Sequence, residues 1–562
     1  MKIPVIVTLA LCWAQWTVVF ALPYGGRLGV EASGDAFVDR VRENYRWEKA
    51  INKGAGWASL TTEDVDEQGW PKKDCRWIMD LRPCAEWAGK IDDPEAYRPD
   101  HSGTYKGAFH GSATVEAIDG PFVITNQVYD HSSHTTSFDL IIPKPGPQHG
   151  LVILGFRDTR REPDSLPNTG ITRFRLIRPG YPASTTQMFT REYLNCMKNA
   201  AFSTIRFMAV LDTNGNVEWG KDHTLIQKWE HRKRMDDAAV SRIDPLNKKD
   251  GWPWEFAVQL CNEAGLDLWI NIPVSVDDAY IRQLALLLKN TLDSRRSIYL
   301  EHSNEIWNFG FLQYGWNKAR AVEEVKTGQA SYNYDQVNNP EIWAQRRHAQ
   351  RLKDSVAIFA SVFGAQEINH RIRGVLAGVT PDPEGFFICG RLPGMLQYLH
   401  DTGSKPSDWI YAISIPVYYG GGMAAAEPGS ESATVDQILA DMRHSIEQKK
   451  AERLAVVTLA QRYGLTGGFC AYEGGPDLGV GRTANLGNRI RAIRDPRQKE
   501  IYKMNFADCF WDLGGNVAMQ FALSGSYTRY GAWGLTDDIS HPDRNSLFQA
   551  ARELVGDGRS AH

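Results

Sequence analysis

The sequence predicts an α/β protein in which a (β/α)8 TIM barrel follows an N-terminal β-sandwich-like region. From about residue 166 onward, eight apolar runs typical of buried strands alternate with eight helical segments. Residues 23–165 instead contain short alternating runs separated by Gly- and Pro-rich turns, a pattern typical of a β-sandwich. The length of 562 residues exceeds that of one ordinary domain, which agrees with this division.

The predicted barrel strands are near-continuous apolar runs, as expected of parallel strands that are covered on both faces. In chain order they are 171–177, 203–210, 266–274, 297–303, 371–379, 409–419, 467–475 and 516–525. Apolar residues at helical spacing predict helices over 189–200, 255–265, 277–292, 342–364, 392–400, 434–464, 498–514 and 544–555. Local pattern alone also fits a doubly wound sheet. The barrel is favoured because neither GxGxxG after a first strand nor GxxxxGK[ST] occurs.

The β-rich region shows its strands as short alternating runs. They include SATVEAI (112–118), PFVITNQVY (121–129), TSFDLII (136–142) and GLVILGF (150–156). The charged, Pro-containing stretch 157–169 predicts the edge of this region, and the barrel domain is expected over 166–562.

The N-terminus has the features of an export signal. Lys2 precedes an uncharged apolar run from Ile3 to Ala21, which predicts a signal peptide over residues 1–22 and a secreted protein, extracellular or periplasmic. The competing interpretation is a transmembrane anchor, because the run nearly reaches the length of a membrane span. No other stretch is comparably apolar, so no membrane association is expected after cleavage.

The net charge and the cysteine content limit which partners and ligands are expected. The formal net charge of −4 provides no basic field, so no nucleic-acid partner is expected. Neither CxxC nor a Cys/His cluster with zinc spacing occurs, so the sequence predicts no metal site, and it indicates no cofactor. Cys75 and Cys84 could pair in an oxidising compartment. The oligomeric state stays open.

Polar residues at the carboxyl ends of the predicted strands are the candidate site, because TIM-barrel active sites lie at that face. The candidates are Arg206, Asp212, Asn214, Asn271, Glu301, His302, Asn304, Glu305, Tyr418, Tyr419 and Glu473. Two acids from non-adjacent strands that face one pocket are the minimum requirement for hydrolysing a glycosidic bond.

Two motifs indicate which two acids form this pair. YLEHSNEIWN (299–308) has an Asn-Glu pair at the end of the fourth predicted strand, and AYEGG (471–475) has a glutamate at the end of the seventh. This resembles clan A, the 4/7 superfamily of retaining glycoside hydrolases that includes family 5 cellulases and mannanases. The resemblance implies that Glu305 is the general acid/base and Glu473 the nucleophile. It also implies that Asn304 contacts the 2-hydroxyl of the bound sugar.

The supporting residues follow the clan less closely. Arg206 and a strand-six tyrosine are expected to orient Glu473, and Asn271 is a further substrate-binding candidate. Pro416 stands where the clan often has a histidine, so both Tyr418 and Tyr419 are candidates, with Tyr418 preferred. The strand-eight aromatic platform could be Trp533, Tyr527 or Tyr530. Trp252 and Trp254 could stack on sugar, although core packing is favoured.

Three functions are compatible with these residues. The favoured one is a retaining glycoside hydrolase that acts on a β-linked polysaccharide or oligosaccharide. The alternatives are a non-catalytic carbohydrate-binding protein with a degenerate barrel, and a transglycosylase that uses the same carboxylates. The sequence does not specify the sugar, the linkage or endo versus exo action.

Overall fold

The protein is seen in a computed structural model that describes residues 26–554, apart from 44, 51–55, 82–91, 145–150, 215–221, 239–242, 245–248, 380–387 and 480. The predicted signal peptide, residues 1–22, lies outside the described residues. Cys84 does as well, and with it the proposed pairing with Cys75. Cys75 itself is buried, and burial, followed by the charge of Asp74, raises the pKa of its thiol well above the usual value.

Eight parallel strands close into a barrel, which confirms the predicted α/β TIM-barrel fold. In order around the barrel they are Arg27–Glu31, Thr204–Phe207, Asp267–Ile272, Ile298–His302, Ile372–Ala377, Ala412–Ser414, Gly468–Ala471 and Gly515–Gln520. Most of their side chains are buried, as expected of strands with the barrel interior on one face and helices on the other.

The first barrel strand is Arg27–Glu31, so the prediction that 171–177 fills this place is wrong. Thr172–Ile177 instead pairs antiparallel with Gly103–His110. Its sequence alternates arginine with Phe174 and Leu176, which is the pattern of a strand with one buried face rather than two. The replacement leaves the count unchanged, so 298–302 is still the fourth strand and 468–471 the seventh.

Two four-stranded antiparallel sheets lie in the chain between the first barrel strand and the first barrel helix. One contains Tyr45–Lys49, Cys75–Asp80, Leu151–Arg160 and Ser112–Asp119, and the other contains Val123–Asp130, Thr135–Ile142, Gly103–His110 and Thr172–Ile177. Aromatic rings of both sheets meet in one apolar cluster, for example Phe156 and Phe174, whose centroids lie 5.2 Å apart. That these sheets form a separate sandwich domain stays a prediction.

All eight predicted helical segments are helical. Among the described residues the α-helices are Arg191–Asn199, Trp254–Ala264, Asp278–Thr291, Leu312–Lys326, Pro340–Phe363, Leu392–Asp401, Val435–Gln448, Lys450–Arg462, Leu486–Arg494, Gln498–Lys503 and Ser546–Leu554, with a π-helix over Met504–Trp511. The predicted helix 434–464 is two helices that meet at Lys449, and Leu312–Lys326 and Leu486–Arg494 were not predicted. Within the described part of the chain, no helix is both long and apolar enough to span a membrane.

The predicted sixth strand, 409–419, is two short strands separated at Pro416. Ala412–Ser414 belongs to the barrel, whereas Val417–Tyr419 pairs in parallel with Gly474–Pro476, just beyond the seventh barrel strand. A Cβ atom on Gly474 would lie 2.6 Å from the Val417 side chain, so this close pairing requires glycine. The pairing extends the barrel wall on the face where the candidate site lies.

Candidate active site

A buried arginine joins the ends of four barrel strands. Arg206 lies in the second strand, and its guanidinium Nη1 contacts Glu473 Oε1 at 2.7 Å and Glu31 Oε2 at 3.4 Å. Its Nε and Nη2 donate to the two Glu301 oxygens at 3.1 and 3.2 Å, and Nη2 also donates to Asn304 Oδ1 at 2.8 Å. The side chain is fully buried, so these contacts are made away from bulk water.

This cluster contains more carboxyl groups than positively charged groups. Burial disfavours the charged form of Arg206, but Glu301, Glu473 and Glu31 more than offset this and raise its pKa above the ordinary value. Burial also raises the pKa of Glu301, against the opposing effects of Arg206 and of the Trp269 indole, which donates to Glu301 Oε2 at 2.8 Å. Several carboxyl groups thus share one guanidinium, which favours uptake of protons by some of them.

Glu473 is oriented through both of its oxygens. Besides the Arg206 contact to Oε1, the Tyr418 hydroxyl donates to Oε2 at 2.8 Å. Tyr418 can do this because its short strand, Val417–Tyr419, pairs with the residues directly after Glu473. Burial, followed by the charge of Glu473, holds the pKa of Tyr418 well above 10, so the phenol keeps its proton and donates.

Glu305 lies in a tight turn after the fourth strand. Ser303 and Glu305 both have left-handed backbone conformations, with φ values of 59° and 38°, which are unusual for residues other than glycine and are found frequently at functional sites. The Tyr472 hydroxyl donates to Glu305 Oε1 at 3.1 Å, and the Asn308 amide donates to Oε2 at 2.8 Å. Burial and then the charge of Glu473 raise the pKa of Glu305 to about 7, despite these two hydrogen bonds.

Asn304 connects the arginine to the loop after the second strand. It accepts from Arg206, and its own amide donates to Asn214 Oδ1 at 2.8 Å. Gln313 donates to the same Asn214 oxygen at 2.9 Å and to the Asn304 carbonyl at 2.7 Å. Asn304 is therefore held in place directly before Glu305, and it shares the Arg206 guanidinium with Glu473.

The remaining predicted residues take different positions. Asn271 is buried in the third strand and donates to the Ser303 carbonyl at 2.7 Å, so it supports the turn that carries Glu305. Trp533 is half-buried, and its ring lies 5.7 Å from that of Phe521, which is 6.4 Å from the Tyr418 ring. Tyr419 points elsewhere and donates to Gln498.

The other aromatic candidates lie mostly in packed regions. Trp252 and Trp254 are buried in the main core, and the Trp254 indole donates to a tyrosine hydroxyl at 2.8 Å. Tyr527 is buried and donates to the backbone of Gly534, whereas Tyr530 is largely exposed.

Sequence reasoning missed two residues of the site. Glu31 ends the true first strand, and its Oε1 accepts from the backbone amides of Met208 and Ala209, both at 2.8 Å. Burial raises its pKa to about 7, against the effects of Arg206 and these amides. Tyr472 precedes Glu473 and contacts Glu305, thereby linking strands seven and four. Its position next to a candidate nucleophile could have identified Tyr472 from the sequence. Glu31 could not be identified because the first barrel strand was predicted at 171–177.

No known protein family's sequence profile matches the chain. No curated protein matches its sequence either.

The arginine gives a first test of this geometry. Arg206→Met should destabilise the protein by about 3–5 kcal/mol, because it leaves buried carboxylates without their counter-charge. Denaturant unfolding followed by circular dichroism measures the change. Arg497→Met is the matched control, since that arginine is half exposed in its contacts with Asp436 and Asp495, and its loss should change stability far less than the loss of Arg206. Equal effects of the two changes would contradict the description of Arg206 as the buried centre of the cluster.

Proposed function

We propose that the protein is a retaining glycoside hydrolase that cleaves a β-linked polysaccharide or oligosaccharide by double displacement. One observation carries the proposal. Glu305 and Glu473 follow barrel strands four and seven and interact electrostatically. Glu305 is half-buried and its pKa is raised, whereas Glu473 is contacted by a cation and a hydroxyl. A retaining mechanism requires such a pair, with one carboxyl protonated and the other ionised.

In the first step Glu473 attacks the anomeric carbon and forms a glycosyl ester. The contacts from Arg206 and Tyr418 fix the direction of its oxygens and complement a negative charge. As the bond to the leaving group breaks, Glu305 gives its proton to the departing oxygen. Its pKa of about 7 leaves a large fraction protonated near neutral pH.

In the second step water replaces the leaving group. Glu305 is now a carboxylate and removes a proton from this water, whose oxygen attacks the anomeric carbon and releases Glu473. Tyr472 and Asn308 hold the Glu305 carboxyl in one orientation through both steps. Asn304, fixed by Arg206 and Asn214, is the candidate donor to the sugar 2-hydroxyl.

The proposal also includes secretion of the enzyme and contact of its aromatic rings with the sugar. The apolar run at residues 3–21 favours secretion, which would bring the enzyme to extracellular glycans. Phe521 lies next to Tyr418, Trp533 lies next to Phe521, and their rings have apolar faces suited to the C–H face of a pyranose.

A substrate panel tests the function. Aryl β-glycosides and β-linked polysaccharides are incubated with wild type and Glu473→Ala, and the products are sized. We expect the wild type to release sugar from at least one substrate and Glu473→Ala to release none. If the panel yields no product but sugars bind, the protein is a carbohydrate-binding protein. If sugar transfer dominates over hydrolysis, it is a transglycosylase.

The raised pKa of Glu305 predicts the pH dependence. Since the first step needs protonated Glu305, kcat/KM should fall tenfold per pH unit well above a pKa of about 7 and should be insensitive to that group well below it. A pH–rate profile on the best panel substrate measures this limb, with Glu305→Gln as the comparison, because glutamine cannot titrate. A basic limb near pH 7 that persists in Glu305→Gln would contradict the assignment.

A further inference from the structure

Three potential metal ligands meet at one end of the β-rich region. His110, His134 and Glu162 bring ligand atoms to within 4.8 Å of one another. His134 is 6 % exposed, His110 is half-buried and Glu162 is exposed. The cluster is thus anchored in the protein on one side and open to solvent on the other, which gives an ion a path of entry.

The three ligands come from separate segments of both sheets. His110 ends the strand Gly103–His110, and His134 directly precedes its neighbour Thr135–Ile142. The Gly111 amide donates to the His134 carbonyl at 2.8 Å, which fixes the two histidines relative to each other. Glu162 follows Leu151–Arg160, a strand of the other sheet. An ion held by all three would tie the two sheets together.

The hydrogen bonds of His134 fix the orientation of its ring. Its Nε2 lies 2.9 Å from the Arg161 carbonyl, which can only accept, so Nε2 carries the proton. In the neutral ring Nδ1 then carries the lone pair and accepts from the Tyr129 hydroxyl, so an ion bound at Nδ1 replaces this hydrogen bond. Metal-binding histidines typically donate their second N–H to a carbonyl in this way.

We infer that His110, His134 and Glu162 form a binding site for a divalent transition-metal ion, with Zn²⁺ the best match. Two imidazoles and one carboxylate are a donor set that zinc uses, with a fourth position for water or another ligand. The site was missed in the sequence because its ligands come from separate segments of the chain with no zinc-type spacing.

Zinc binding by the full-length protein tests the inference. Protein stripped with a chelator is titrated with Zn²⁺ in competition with a chromophoric zinc indicator, and the melting temperature is measured with and without zinc. We expect one high-affinity ion per chain and a higher melting temperature with zinc, because the ion binds the folded state. The measurement does not involve glycoside hydrolysis, so it stands or falls separately from the proposed function.

Variants locate the ion. His110→Ala and Glu162→Gln should each weaken zinc binding by about tenfold or more and remove the zinc-dependent rise in melting temperature. Glu162→Gln is an exposed, isosteric change, so it should leave the fold intact. His400→Ala, at an exposed histidine of the helix Leu392–Asp401, should bind zinc as the wild type does. No high-affinity zinc in the wild type, or unchanged binding in both ligand variants, would overturn the inference.

Discussion

Glu473→Gln should lower kcat by about 10⁴-fold or more, since removing a covalent nucleophile eliminates the double-displacement route. Glutamine has nearly the same shape as glutamate. Its single amide oxygen can still accept from Arg206 and its amide N–H can donate to the Tyr418 hydroxyl oxygen, so the fold should be retained. Steady-state kinetics on the best panel substrate measure the loss, and circular dichroism checks the fold.

The control for this change is another glutamate of the same barrel face. Glu431→Gln alters an exposed acid in the loop after the sixth strand and should leave kcat within about twofold, as expected of surface positions away from the site. If Glu473→Gln keeps a tenth or more of the wild-type kcat, Glu473 is not the nucleophile.

Glu305→Gln should show a loss that depends on the leaving group. For an oligosaccharide, whose departing oxygen needs a proton, kcat/KM should fall by about 10²–10⁴-fold. For an aryl glycoside with a strongly acidic phenol as leaving group, kcat/KM should fall far less, because that phenolate departs without protonation. Parallel kinetics on the two substrates measure the difference.

A matched control separates this effect from a general loss of structure. Glu323→Gln changes an exposed glutamate on the helix Leu312–Lys326 and should leave both substrates unaffected. Equal losses on the two substrates in Glu305→Gln would mean that Glu305 is not the acid that protonates the leaving group.

The barrel could be predicted because one sequence pattern, an apolar strand followed by a helix, is repeated along the chain. Seven of its strands are apolar runs followed by helical segments, and this periodicity identifies strand and helix without knowledge of tertiary contacts. The prediction of the first strand failed because this strand is five residues long, ends in a buried glutamate and is separated from its helix by two antiparallel sheets. Thr172–Ile177 occupied the expected place in the sequence, and only sheet pairing distinguishes it.

The site was predictable where strand order alone determines position. Arg206, Asn304, Tyr418 and Glu473 all follow from the strand count, and the structure joins them by hydrogen bonds. Identifying Glu31 as a site residue required the correct first strand. The short pairing of Val417–Tyr419 with Gly474–Pro476, which no local pattern shows, explains why Tyr418 rather than Tyr419 contacts Glu473.

Trapping the glycosyl-enzyme tests the central claim most directly. The protein is incubated with a 2-deoxy-2-fluoro glycoside of the sugar found in the panel, which slows the second step, and the labelled peptide is identified by mass spectrometry. The account predicts one glycosyl group per chain on Glu473, and none on Glu473→Gln. Attachment to a different carboxylate, or hydrolysis that inverts the anomeric configuration with no covalent adduct, would contradict it.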